Sequence, residues 1–225
     1  MKKLSVELGL LWLGTLLAIR GVVVLHEAGV HEVILALVPF LFVYAPVYLC
    51  RYRGVDPDGY GLALPAFSDG QAWKEAAIEA GKVIGIIVVP WLIGYHLYQS
   101  LIFGYAPDLR LPKDAWLLIP YHLFFVAVPE EFFYRGYLQG RLNEYLPRPW
   151  TLFGVAVGWS WPLTAIIFAF GHSIVTFRWW HFAIFFPALL FGWLREKTGG
   201  TLAGAFFHAW CNITVAVLDA MYGLR

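Results

Sequence analysis

Apolar runs of about 20 residues, the length a helix needs to cross a hydrocarbon layer, recur along almost the whole chain. They lie near 4–25, 32–50, 80–103, 115–134, 151–172, 179–194 and 200–221. In lipid a segment must satisfy its backbone polar groups internally, which a helix does. The expected fold class is therefore all-α: a polytopic transmembrane helical bundle of about seven to eight spans. Composition agrees, since 60% of the residues are hydrophobic and only 14% charged, where a soluble domain carries about a quarter charged. Eleven Trp and twelve Tyr suit aromatic belts at the two membrane surfaces. A net charge of +1 argues against a nucleic-acid partner, which needs a basic face.

The organisation expected is one integrated membrane domain in two parts, with N-terminal spans and a cytoplasmic loop over 1–110 and a bundle over 111–225. Arg51–Ala66 is polar and contains Gly and Pro, so it reads as a loop. Ser68 then reads as a helix N-cap ahead of Asp69–Lys82, an amphipathic lead-in to the third span. Pro90, Pro120, Pro129 and Pro162 fall in apolar runs, where they kink helices or start them. Met1-Lys2-Lys3 precedes apolar Leu8–Ile19 with no small-residue cleavage pattern after it, so the segment reads as a retained first span. Cys50 and Cys211 sit at or in apolar segments and give no disulfide framework. With the N-terminus inside, 11 of the 16 Lys and Arg fall on the cytoplasmic side, which satisfies the positive-inside rule.

Ionisable groups inside such a bundle point to function, because a charge in hydrocarbon is costly. Glu130-Glu131-Phe132-Phe133-Tyr134-Arg135 follows the apolar run Trp116–Val128. Glu131 and Arg135 are four apart and share a helical face, so they can pair. Glu130 is turned about 100° from its neighbour and is left for other work. His172 ends a later run, and His208 and Asn212 lie four apart on the last span. A carboxylate held away from bulk water is a usable general base, and a histidine beside it can orient the same water. A second histidine and an asparagine can donate to a developing oxyanion. These groups suffice to hydrolyse an amide without a nucleophilic Ser or Cys.

Three motifs carry a family resemblance. Glu-Glu-x-x-x-Arg is met at 130–135, Phe-x-x-x-His at Phe168–His172 and His-x-x-x-Asn at His208–Asn212, in that order. In these the chain resembles the CPBP family of intramembrane proteases, which includes type II CAAX prenyl endopeptidases, the Abi group and the similarly sized myxosortases. The resemblance implies a membrane hydrolase in which Glu130 and His172 activate water while His208 and Asn212 form the oxyanion hole. Glu131 and Arg135 have supporting roles. It also implies no cofactor, a membrane-associated protein or peptide as substrate, and residence in a bacterial or archaeal cell membrane.

Other readings fit parts of the pattern. Zinc on Glu130, His172 and His208, with one open position, is the nearest; Asn212 suits an oxyanion role better. A non-catalytic peptide-binding or immunity protein can hold the same polar cavity, although here every catalytic-type residue is retained. A small transporter lacks support because no inverted repeat is visible. For Arg135 the plain alternative is a charge snorkelling to water, and for His208 and Asn212 it is interhelical hydrogen bonding. His26 and His31 are five apart, about 140° round a helix, so they do not make a zincin pair and read as an outer loop. His96 and His122 read as satisfied by neighbouring carbonyls, and His181, after Trp179-Trp180, as an interfacial anchor.

Overall fold

Among the described residues, glycine, proline and short polar breaks divide the apolar sequence into seven helices. The computed structural model describes residues 2–60, 64–66, 68–108, 110–176 and 179–224, with side chains from Leu4 onward except those of 176–181. The helices are α1 (Lys2–Glu27), α2 (Leu37–Arg53), α3 (Gly70–Leu97), α4 (Ala115–Asn143), α5 (Ser160–Thr176), α6 (Phe185–Thr198) and α7 (Leu202–Met221). Gly54 and Gly199 end α2 and α6 with φ of 66° and 73°, the left-handed backbone that only glycine adopts without strain. The chain folds as an all-α polytopic bundle and is an integral membrane protein.

Five of these segments are long and apolar enough to cross a membrane: α1, α2 with its lead-in turn from Glu32, α3 continued to Ile102, α4 and α7. The 17 residues of α5 and the 14 of α6 rise only about 25 and 21 Å. Two of the seven expected spans are thus helices shorter than the hydrocarbon layer is thick. The last helix occupies its centre, with 56% of its most apolar stretch buried against 17% for α2 and α3. It packs on α3, on α6 and on the first half of α4, while α5 packs on α6, α1 and the second half of α4.

Several boundaries differ from the sequence reading. The span expected from 151 begins instead at Ser160, after an antiparallel hairpin of β1 (Trp150–Leu152) and β2 (Val155–Val157). Pro147 and Pro149 stop the chain from entering a helix there, and Val155 and Val157 alternate inward as a strand requires. Pro162 lies in the first turn of α5, where its missing N–H costs nothing. Asp69, not Ser68, caps α3: its carboxylate accepts from the Ala72 N–H at 3.1 Å. The lead-in and third span form one helix from Gly70. His26 lies within α1 rather than in a loop, and His31 caps the next turn by accepting from the Val33 N–H. His96 meets the hydroxyl of Tyr222 rather than a carbonyl. The side chain of His181 lies outside the described residues.

Charged and polar side chains gather at one end of the bundle and tie its helices together. Glu7 of α1 accepts from Arg53 of α2 at 2.9 Å and from Tyr137 of α4 at 3.2 Å. Glu196 of α6 accepts from Gln139 and Asn143 of α4, each at 2.7 Å. Glu79 of α3 pairs with Lys197 of α6 at 2.6 Å. The two bonds to Glu196 hold α4 and α6 in one mutual rotation, which the site requires.

Candidate active site

The site is built on an irregular stretch of α4. Regular α-helix covers only Val128–Glu131 there, between π-helical segments Tyr121–Ala127 and Phe132–Gln139. Pro129 has no N–H to give the preceding turn, and i→i+5 bonding on either side accommodates the break. The result presents Glu130 and Glu131 in different directions. From Phe132 to Gln139 every residue is buried, so α4 runs through the core well past the expected end at 134. Arg135 is 1% exposed and does not reach water, which corrects the snorkelling alternative.

Glu131 is the hub. Its Oε1 accepts from Arg135 Nη1 and lies opposite His208 Nδ1, each at 2.9 Å. Arg135 also donates from Nη2 to the Ala188 carbonyl at 3.2 Å. Its guanidinium stands 4.2 Å from the Phe168 ring centre and 4.9 Å from that of Phe191. A planar guanidinium is suited to this sandwich, since it satisfies its edge by hydrogen bonds and its faces by aromatic rings. Phe191 in turn stacks on His208 at 4.6 Å, with 13° between the rings.

Glu130 faces the two histidines. Its Oε2 lies 3.6 Å from His172 Nε2 and 3.8 Å from His208 Nε2. That oxygen is buried and has no hydrogen-bond partner among the described residues. The other ring nitrogens decide what Glu130 meets. His172 Nδ1 lies 3.1 Å from the Phe168 carbonyl, which can only accept, so Nδ1 carries hydrogen and Nε2 of the neutral ring is a lone pair. His208 Nδ1 donates to the Glu131 carboxylate, so its Nε2 is likewise a lone pair when the ring is neutral. Tautomers here are assigned from the partners. With both rings neutral, three acceptors thus converge from α4, α5 and α7.

The structure therefore brings Glu130, His172 and His208 together and joins Glu131 and Arg135 to them. Asn212 lies one turn beyond His208 on α7, partly buried. Among the described residues no group of three His, Cys, Asp or Glu has the geometry of a metal site. Sequence reasoning missed the neighbours that seat these groups. The hydroxyl of Tyr134 lies 2.7 Å from where a Cβ on Gly171 would stand, next to His172. A Cβ on Gly204 would meet Glu131 Oε2 at 3.1 Å. No motif marks them, although glycine beside His172 and in the turn before His208 is a legible sign of close approach. A concavity of about 490 Å³ lies elsewhere, between the start of α3 and the α6–α7 turn near Glu79, Lys197 and Thr201. Acceptors buried in a helical core offer little open volume, and the chemistry identifies this site better than cavity size.

Residues 112–214 match the family model described as type II CAAX prenyl endopeptidase Rce1-like. The matched stretch contains all three motifs and leaves α1–α3 outside it. No curated protein and no solved structure matches the chain.

Proposed function

Because residues 112–214 belong to the Rce1-like, CAAX-type family of intramembrane proteases, we propose that the chain cleaves a peptide bond of a membrane-associated protein or peptide with a water activated by Glu130 and His172. Both groups are acceptors toward each other, and 3.6 Å is too long for a direct bond. A water that donates to both fits this relationship. Glu130 takes the water's proton as the oxygen attacks the scissile carbonyl carbon, then returns it to the departing amine. The oxyanion receives hydrogen bonds from Asn212 and from His208. His208 needs a proton on Nε2 to donate, and Glu131 on its other nitrogen supplies the counter-charge for that cation, as the buried acid of a catalytic triad does.

The observation that carries this reading is the buried Glu130 Oε2, without a hydrogen-bond partner among the described residues, facing imidazole nitrogens from two other helices. The reaction so drawn needs no metal. The N-terminus lies in the cytoplasm, on the charge asymmetry of the loops. Prenylated CAAX-type peptides are the first substrates to try, with C-terminal membrane sorting segments as the second class. The test is Glu130→Gln, which keeps the side chain's shape but cannot take the proton. Purified variant that stays folded in detergent yet loses cleavage supports the mechanism; turnover near the wild-type rate overturns it.

A further inference from the structure

The β1–β2 hairpin carries a bulky residue at a turn position that favours asparagine or glycine. Leu152 pairs with Val155, so Phe153 and Gly154 form a two-residue turn, with φ of 50° and 78°. Turns with positive φ at both central positions favour Asn-Gly, and a bulky residue at the first is strained. Phe153 occupies it and is 86% exposed. Such strain persists only where surrounding structure enforces it, and the hairpin is held firmly. Val155 and Val157 are buried, and the Trp193 indole donates to the Leu152 carbonyl at 3.0 Å. At the base a Cβ on Gly158 would stand 2.1 Å from the Pro147 carbonyl oxygen. The strained, exposed ring is thus the tip of a rigid finger.

We propose that this hairpin is a membrane-interface anchor, in which Phe153, flanked by Trp150 and Trp159, seats in the headgroup–acyl boundary of the bilayer. Its place in the chain commits it to that partner. It joins the end of α4, a helix fit to cross the membrane, to the start of apolar α5. It lies at the bundle end that gathers the charged side chains. Trp150 and Trp159 are also exposed and pack edge to face at 5.1 Å. Arg148 beside them, half exposed and bonded to Glu196, can meet anionic headgroups. Exposed aromatic rings with a basic neighbour, at the level where spanning helices end, are what the interface selects. Seating the tip there sets the depth of α4 and α5, the helices that carry Glu130 and His172. The inference does not rest on the proteolytic reading.

The test places a polarity-sensitive fluorophore on Phe153→Cys in the full chain, reconstituted in vesicles of phosphatidylcholine and phosphatidylglycerol. Cys50 and Cys211 are buried and stay unlabelled. A probe on Asp58→Cys, exposed in the polar loop, reports water. The Phe153 probe is expected to emit blue-shifted from the Asp58 probe and to be quenched by lipid with a nitroxide high on its acyl chain. Quenching by aqueous iodide as strong as at Asp58, or by neither quencher, overturns the proposal. A second arm labels Ala156→Cys, exposed on the same hairpin, with and without Phe153→Asn. Asparagine relaxes the turn while removing the ring, so folding is kept and lipid quenching at 156 is expected to fall. Unchanged quenching there also overturns the proposal.

Discussion

Glu131 Oε1 binds His208 Nδ1 and Arg135 Nη1 at the same 2.9 Å, so one carboxylate both neutralises a buried cation and orients a site imidazole. Its 0% exposure means that neither task can be passed to water.

This double role changes what a charge swap achieves. Removing one member of a buried pair costs on the order of 3 kcal/mol, so Glu131→Gln is expected to lower the thermal midpoint in detergent clearly. Exchanging the charges with Glu131→Arg and Arg135→Glu is expected to recover part of that stability. It should not recover turnover, because arginine at 131 cannot accept from His208. Full recovery of cleavage in the double variant shows that the His208 contact is dispensable.

Oxyanion donation predicts a kinetic split at Asn212. One such donor is worth about a hundredfold or more in kcat, so Asn212→Ala is expected to lose that much with little change in KM. An equal rise in KM with kcat unchanged would instead assign Asn212 to substrate binding.

Close packing at Gly171 predicts a non-additive pair. The Cβ of Gly171→Ala meets the Tyr134 hydroxyl at 2.7 Å, an overlap that costs roughly 1–3 kcal/mol and pushes on the neighbouring His172. Tyr134→Phe removes the obstructing oxygen. The double variant is expected to be more stable than the sum of the two single effects, by a double-mutant cycle on thermal unfolding. Strict additivity rules out this contact as the cause.

Metal removal separates the proposed reaction from a zinc-dependent one on Glu130, His172 and His208. Full activity is expected after exhaustive chelation and dialysis. Stoichiometric zinc in active protein, lost in His208→Ala, establishes a metalloprotease instead.

Local regularities made much of this legible. A helix repeats every 3.6 residues, so the Glu131–Arg135 pair followed from spacing alone, as did the shared face of His208 and Asn212. Apolar length marked the segments that became α1, α2, α3, α4 and α7. The same criterion misread 151–159, because an apolar run does not distinguish a buried strand from a helix, and there the inward alternation of Val155 and Val157 decided. It also gave α5 and α6 spanning length, where the helices run for only 17 and 14 residues, because apolar residues continue past helix ends.

By itself, then, the sequence determined the membrane class, the helical periodicity and which ionisable groups had to be hidden together, because these depend on side-chain chemistry and near neighbours. Only the tertiary structure decided which nitrogen of His208 meets Glu131, that Phe168 and Phe191 enclose Arg135, and that Glu130 looks toward both histidines. Those relations depend on how four helices are rotated against one another. The rotation is set by two π-helical stretches around Pro129 and by contacts such as Gly171 on Tyr134 and Gly204 on Glu131. Each π-turn shifts the face that later residues present, and the energy that holds it comes from packing between distant segments, which no local spacing encodes.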